Sequence, residues 1–193
     1  MSIYLIRHAQ SEANINGRTQ SHAAIALSEQ GHLQAVQLCS HLPRIDHVMI
    51  SQYIRTAETA KPLLLKYRLD AETIEEIHEF SYLSEAKCAN TNMQERKAWV
   101  DAYWAKMDID YQDAADAESF AQFYARVAAF YQRLLELKTQ YDHQNLAVFS
   151  HGQFLALLKI LILHQPTLNQ ALMQQFRFQI LHQPIENIEW FEF

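Results

Sequence analysis

Ile3-Tyr4-Leu5-Ile6-Arg7-His8 and Leu146-Ala147-Val148-Phe149-Ser150-His151-Gly152 are the two stretches that decide the fold. Each is a short unbroken apolar run that stops at a histidine, the pattern of a strand buried on both faces with chemistry at its end. After the first, Ser28 reads as a helix cap, with Leu33, Val36, Gln37 and Leu38 at helical spacing and Pro43 closing the segment. Val48-Met49-Ile50 reads as a second strand, and Arg55 begins the helix carried by Ile54, Ala57, Ala60 and Leu64. Ile74 to Ile77 reads as a further short strand. Residues 84–117 are polar and Asp-rich, and read as a helical cap inserted into the domain. A stripe from Phe120 to Leu135 reads as a helix covering one face of a sheet. Ahead of the C-terminus, Phe176 to Leu181 and Ile188 to Phe193 alternate and are expected as terminal strands around Pro184.

Strands alternating with helices predict an α/β domain over residues 1–193, with a mostly parallel central sheet flanked by helices. In such sheets ligands bind at the carboxyl ends of the strands. His8, the 51–55 segment, Glu79 and His151 all fall at such ends, so segments distant in sequence converge on one sheet edge.

Composition narrows the function. With 49% hydrophobic and 20% charged residues, the chain has enough apolar material to offset ordering, which excludes extended disorder. Three glycines are too few for a G-x-G-x-x-G or P-loop phosphate cradle. A net charge of -6 gives no general attraction to nucleic acid or to an anionic membrane, so neither is expected as a partner, and any anion site must be local. The run from Phe154 to Leu163 contains Lys159 and is about half the ~20 residues of a membrane span, so it reads as a buried helix. The N-terminal apolar stretch is too short for a signal peptide, and a cytoplasmic location is expected. Cys39 and Cys88 have no C-x-x-C spacing and read as reduced, buried thiols.

Two arginines at one edge favour a tetrahedral dianion, because the planar fork pairs with phosphate bidentately. Arg7 and Arg55 are the candidate clamps. A neutral imidazole can attack phosphorus, a second histidine can donate to the equatorial oxygens, and a carboxylic acid can protonate the leaving alkoxide. That chemistry calls for neither a metal nor a cofactor.

Arg7-His8-Ala9-Gln10-Ser11-Glu12-Ala13-Asn14 resembles the Arg-His-Gly signature of the histidine phosphatase superfamily, which includes the cofactor-dependent phosphoglycerate mutases. Ala26 to Gly31, Ser51 to Ala60 and Val148 to Gly152 resemble its later blocks in the same order, so the resemblance covers most of the chain. It implies that His8 is phosphorylated while Arg7, Arg55 and His151 hold the phosphoryl oxygens, with Asn14 as a neutral donor. Glu79 stands where the family places its acid-base carboxylate, with Glu75 and Glu76 as substitutes. Gln20, Ser21 and Tyr82 match loop positions that touch substrate in some relatives. Ala9 replaces the usual Gly, so a positive φ there would strain its methyl. Residues 81–87 lack the family's Trp-Glu-Gly, which bears on the shape of the pocket.

Arg55 at a helix start has Glu58 one turn away as a structural partner. Trp99, Tyr103 and Trp104 read as core in preference to an aromatic wall over substrate. The 108–116 aspartates read as a solvated loop. His22 and His78 read as surface or packing residues, with pocket lining as the alternative their loops allow. The cap carries four basic and seven acidic residues, a charge that would repel a bisphosphate. This favours hydrolysis of a small phosphorylated metabolite over mutase transfer, although Gln10-Ser11-Glu12 is common in mutases. A phospholigand-binding module without turnover is the other alternative, and a homodimer is left open.

Overall fold

The computed structural model describes residues 2–140 and 143–193. Five strands form one sheet in the order β3-β2-β4-β1-β5. They are β1 (Ser2–Arg7), β2 (His47–Ser51), β3 (Ala71–Ile74), β4 (Asn145–Ser150) and β5 (Trp190–Glu192). The first four are mutually parallel, and only β5 runs antiparallel, along the outer edge of β1. The helices among the described residues are α1 (Glu29–His41), α2 (Ile54–Tyr67), α3 (Glu85–Cys88), α4 (Met93–Lys106), α5 (Phe120–Gln140), α6 (Gly152–His164) and α7 (Gln170–His182).

The apolar runs are continuous because both sheet faces are covered. Ile3 and Leu5 of β1 pack with Phe123, Phe154 and Phe176 of α5, α6 and α7. The intervening Tyr4 and Ile6 pack with Leu38 of α1 and Ala60 and Leu63 of α2. A period of two thus splits β1 between two cores. Ser28 caps α1, its hydroxyl accepting the Gly31 N–H at 3.1 Å. A Cβ on Gly31 would stand 1.9 Å from the Gln10 carbonyl oxygen, so glycine is what lets α1 close on the loop after His8. The start of α5 is capped reciprocally by Ser119 and Gln122.

Three expectations are corrected. In α1 the buried face is Gly31, Ala35, Leu38 and Cys39, whereas Leu33 and Val36 are 56% and 61% exposed. The strand expected over residues 74–77 is Ala71–Ile74, which ends level with Ser51 of β2 and tightens into a 3-10 turn at Glu75–Ile77. Residues 176–181 belong to helix α7, not to a strand. Asn169 caps that helix by accepting the Leu172 N–H at 2.9 Å. Leu172, Met173 and Phe176 form its buried stripe, while Phe178, which strand alternation pairs with Phe176, is 61% exposed.

Residues 84–117 contain α3 and α4. Tyr103 and Trp104 are buried against Phe80 and Tyr82, which makes them core, as expected. The 108–116 aspartates are not simply solvated: Asp113 pairs with Lys87 and accepts the Ser84 N–H, and Asp116 accepts from Ser84 and Ala86 at the head of α3. Cys39 and Cys88 are free and buried. No helix of the described residues is long and apolar enough to cross a membrane.

Helical α7 predicts unequal costs for two phenylalanines two positions apart. Phe176→Ala empties a fully buried site and is expected to cost about 3–5 kcal/mol, whereas Phe178→Ala stays within about 0.5 kcal/mol. Denaturant unfolding of both variants checks this, and equal losses would restore the strand.

Candidate active site

Parallel pairing sets the geometry. β1 and β4 are adjacent, with Arg7 opposite Ser150, and the His8 N–H donates to the Ser150 carbonyl at 3.0 Å. The next residue of each strand is a histidine, so the two rings meet edge to face with centroids 5.2 Å apart.

His8 is buried, and its Nδ1 lies 2.7 Å from the Ala9 carbonyl oxygen. A carbonyl only accepts, so Nδ1 carries the proton and Nε2 presents a lone pair. That lone pair accepts the Arg55 Nε–H at 3.1 Å. Burial, followed by the charges of Arg55 and Arg7, holds His8 well below the ordinary imidazole value. Ala9 has no positive φ, so its methyl is unstrained, and its N–H donates to Thr59 Oγ1 at 3.0 Å.

His151 is fully buried behind His8, and burial followed by the Arg55 charge likewise holds it well below its ordinary value. Its Nε2 lies 2.7 Å from Ser51 Oγ at the end of β2, and its Nδ1 is buried with no hydrogen-bond partner among the described residues.

Arg55 is buried at the start of α2 and also donates to the His22 carbonyl at 2.7 Å. Burial pulls its guanidinium down to about 10, which still leaves it charged at neutral pH. Glu58 is not its partner: that carboxylate accepts the Leu27 N–H at 2.7 Å. Arg7 donates to the Ile185 carbonyl, and its Nε is buried without an acceptor among the described residues. A Cβ on Gly152 would come within 3.1 Å of that Nε, so glycine leaves room for the guanidinium.

Glu79 sits over the N-terminus of α6, where its carboxylate accepts the N–H groups of Phe80, Gln153 and Phe154 at 3.0–3.3 Å. Its loop is pinned by Ser150 Oγ, which donates to the Ile77 carbonyl at 2.7 Å, and by Arg126, which donates to the Glu76 and His78 carbonyls. Glu75 and Glu76 are exposed and lie outside the cavity.

A cavity of about 520 Å³ opens on Arg7, His8, Arg55 and Glu79, and Asn14 and Tyr82 also line it. His151 does not. Gln20 and Ser21 are left out, because Thr19 pairs with Thr91 and ties their loop to the 88–93 segment, so that His22 forms the wall instead. His78 also stays outside the cavity. The cap's charge does not have the expected effect at the site: Arg96 and Lys97 face the cavity, and none of the cap's acidic residues does. Among the described residues, no group of three or more His, Cys, Asp or Glu side chains is placed to hold a metal ion.

Sequence reasoning passed over Thr59, Arg126, Asn187 and Arg177. Asn187 donates to the His8 carbonyl at 2.9 Å from a turn in which Ile188 is left-handed, at φ 60°. A β-branched residue in that region is a strained choice. Nothing in the spacing of these side chains signals their long-range partners.

A family model for the histidine phosphatase superfamily (branch 1) matches residues 3–183, and the chain belongs to that family. It is 30% identical over 170 residues to the adenosylcobalamin/alpha-ribazole phosphatase of Escherichia coli (strain K12), covering 86% of this chain and 81% of that protein. It is 25% identical over 197 residues to a Proteus mirabilis (strain HI4320) protein named "Probable phosphoglycerate mutase GpmB", covering 98% and 87%. Its structure resembles the alpha-ribazole phosphatase of Shigella flexneri with a TM-score of 0.76 and 25% identity, over 100% of this chain and 89% of that one.

Neutral buried histidines make stability depend on pH in one direction. Unfolding exposes imidazoles that take up protons as pH falls through about 6.5, whereas the folded site resists them. The unfolded state then holds more protons, so stability drops on acidification and is kept above that pH. Thermal denaturation is expected to show a fall in Tm from about pH 7.5 to about pH 5.5. A His8→Asn, His151→Gln double variant should lose part of that fall, and an unchanged fall would exclude these rings as its source.

Proposed function

We propose that the chain is a phosphomonoesterase that works through a phosphohistidine on His8 and needs no metal. The observation that carries this is the His8 ring itself, with Nδ1–H tied to Ala9 and the Nε2 lone pair turned toward Arg55 at the mouth of a cationic cavity. Its relatives in the family include phosphatases, which supports the same reading.

In the first step Nε2 attacks phosphorus, the N–P bond forms, and the P–O bond to the alcohol breaks. Arg55 Nε turns from His8 to a phosphoryl oxygen as Nε2 is committed. Arg7 meets another oxygen, and the buried Nδ1 of His151, which has no hydrogen-bond partner among the described residues, is a further donor. Asn14 has its side-chain carbonyl occupied by Ser11 and keeps its amide N–H groups for the ligand. Glu79, in its acid form, delivers a proton to the leaving alkoxide and then accepts one from the water that breaks the N–P bond. The products are the alcohol and inorganic phosphate.

We place a small phosphorylated metabolite in the cavity. Phosphoryl transfer to a second phosphometabolite is the other reading, favoured by the likeness to a named mutase and by the basic residues the cap turns inward. Incubation with 3-phosphoglycerate and catalytic bisphosphoglycerate separates the two: isomerisation would overturn hydrolysis as the principal reaction.

Release of phosphate from an aryl phosphate is expected to continue in a metal chelator. It should fall about a thousandfold or more in His8→Ala, and about a hundredfold or more in Glu79→Gln with a poor leaving group. Rapid quenching into alkali should trap a phosphohistidine in the parent chain and none in His8→Ala. Unimpaired turnover by His8→Ala would exclude the mechanism.

A further inference from the structure

The basic residues around the cavity are not equally committed. Arg7 and Arg55 belong to the phosphoryl end. Arg96 donates to the side chains of Thr91 and Thr19 and to the carbonyls of Cys88 and Thr91, so it braces a loop. Lys97 is paired with Asp101.

Arg177 differs. It reaches the cavity from α7, one turn from Ile180, which also lines it. Its guanidinium lies over the Trp104 ring, 4.7 Å from the centroid, a cation–π contact. Among the described residues it has neither an ion-pair partner nor a hydrogen-bond acceptor. Burial works most against its charge, and Tyr82, followed by Asp101, which Lys97 already holds, supports that charge only through space. A partly buried guanidinium without a carboxylate is costly unless a ligand supplies the anion. Glu79 is the only carboxylate lining this cavity among the described residues, and it faces α6.

We propose that the Arg177 wall is a second anion subsite, which receives a carboxylate or other anionic group carried by the alcohol part of the phosphate ester. The apolar middle of such a ligand lies along Ile180 and Val100, which line the cavity beside Arg177. This rests on the preceding reading in that the phosphoryl end is placed at His8. The substrate class is a phosphomonoester with a second negative charge, not a phosphorylated neutral alcohol.

The test uses two esters of one shape, 4-carboxyphenyl phosphate and 4-methylphenyl phosphate. Binding is measured calorimetrically in a His8→Ala background, so that neither ester is consumed. The carboxylated ester is expected to bind about tenfold tighter or more. With Arg177→Met added, shown folded by thermal denaturation, that preference should fall to about twofold or less. Arg177→Lys, which keeps the charge and loses the fork, should give an intermediate ratio, and it reads the subsite if the methionine variant does not fold. No preference in the Arg177 background, or a preference that survives both substitutions, overturns the inference. Phosphate release from both esters by the parent chain is followed separately. A retained binding preference without release would overturn the phosphatase reading and support the subsite.

Discussion

Two guanidinium groups, Arg7 and Arg55, are held at one end of a mostly parallel sheet with no carboxylate in ion-pair contact among the described residues. Removing such charges from water costs several kcal/mol each unless something compensates. Glu79 offsets them through space, but its oxygens are engaged by backbone N–H groups of α6. What is left is a site with positive charge to spare beside a neutral imidazole. Burial first, and then these same charges, keep that imidazole neutral, so the cationic end of the cavity and the lone pair beside it are maintained together.

The surrounding fold keeps this arrangement from relaxing. Adjacent strands β1 and β4 deliver His8 and His151 at the same level, and Ser51 and Ser150 at the ends of β2 and β4 hold His151 and the Glu79 loop. Thr59 and Asn187 fix the two ends of the peptide bond that follows His8. Two glycines provide the close approaches that any side chain would obstruct, at Gly31 for the loop after His8 and at Gly152 for Arg7. Most of these contacts are hydrogen bonds between groups far apart in sequence and out of water, where a lost partner costs more than an average bond contributes.

Net charge is a poor guide to the site. The chain carries -6, and its 84–117 segment is acidic, yet the cavity is lined by five arginines and lysines and one glutamate among the described residues. Three acidic side chains of that segment are committed elsewhere, Asp113 to Lys87, Asp116 to the head of α3 and Glu95 to Arg18. Which ligand enters depends on the direction a few basic side chains face, and a sum over the segment does not contain that information.

The sequence by itself determined the α/β class, the strands that end at His8 and His151, and the family, because buried parallel strands leave apolar runs and the motif residues are contiguous. It also singled out Arg7, Arg55 and Glu79, which the sheet brings to one edge. Residues 176–181 were not legible, since a short alternation suits a strand and a half-buried helix alike, and only packing on Phe80 and Phe120 selects the helix. Gln20 and Ser21 fell outside the cavity and His22 inside it because a bridge to Thr91 sets the loop's position. Arg177 came into view only with the helix, whose pitch puts it on one face with Ile180. Tertiary structure decided these points, because long-range partners and side-chain direction leave no periodic trace along the chain.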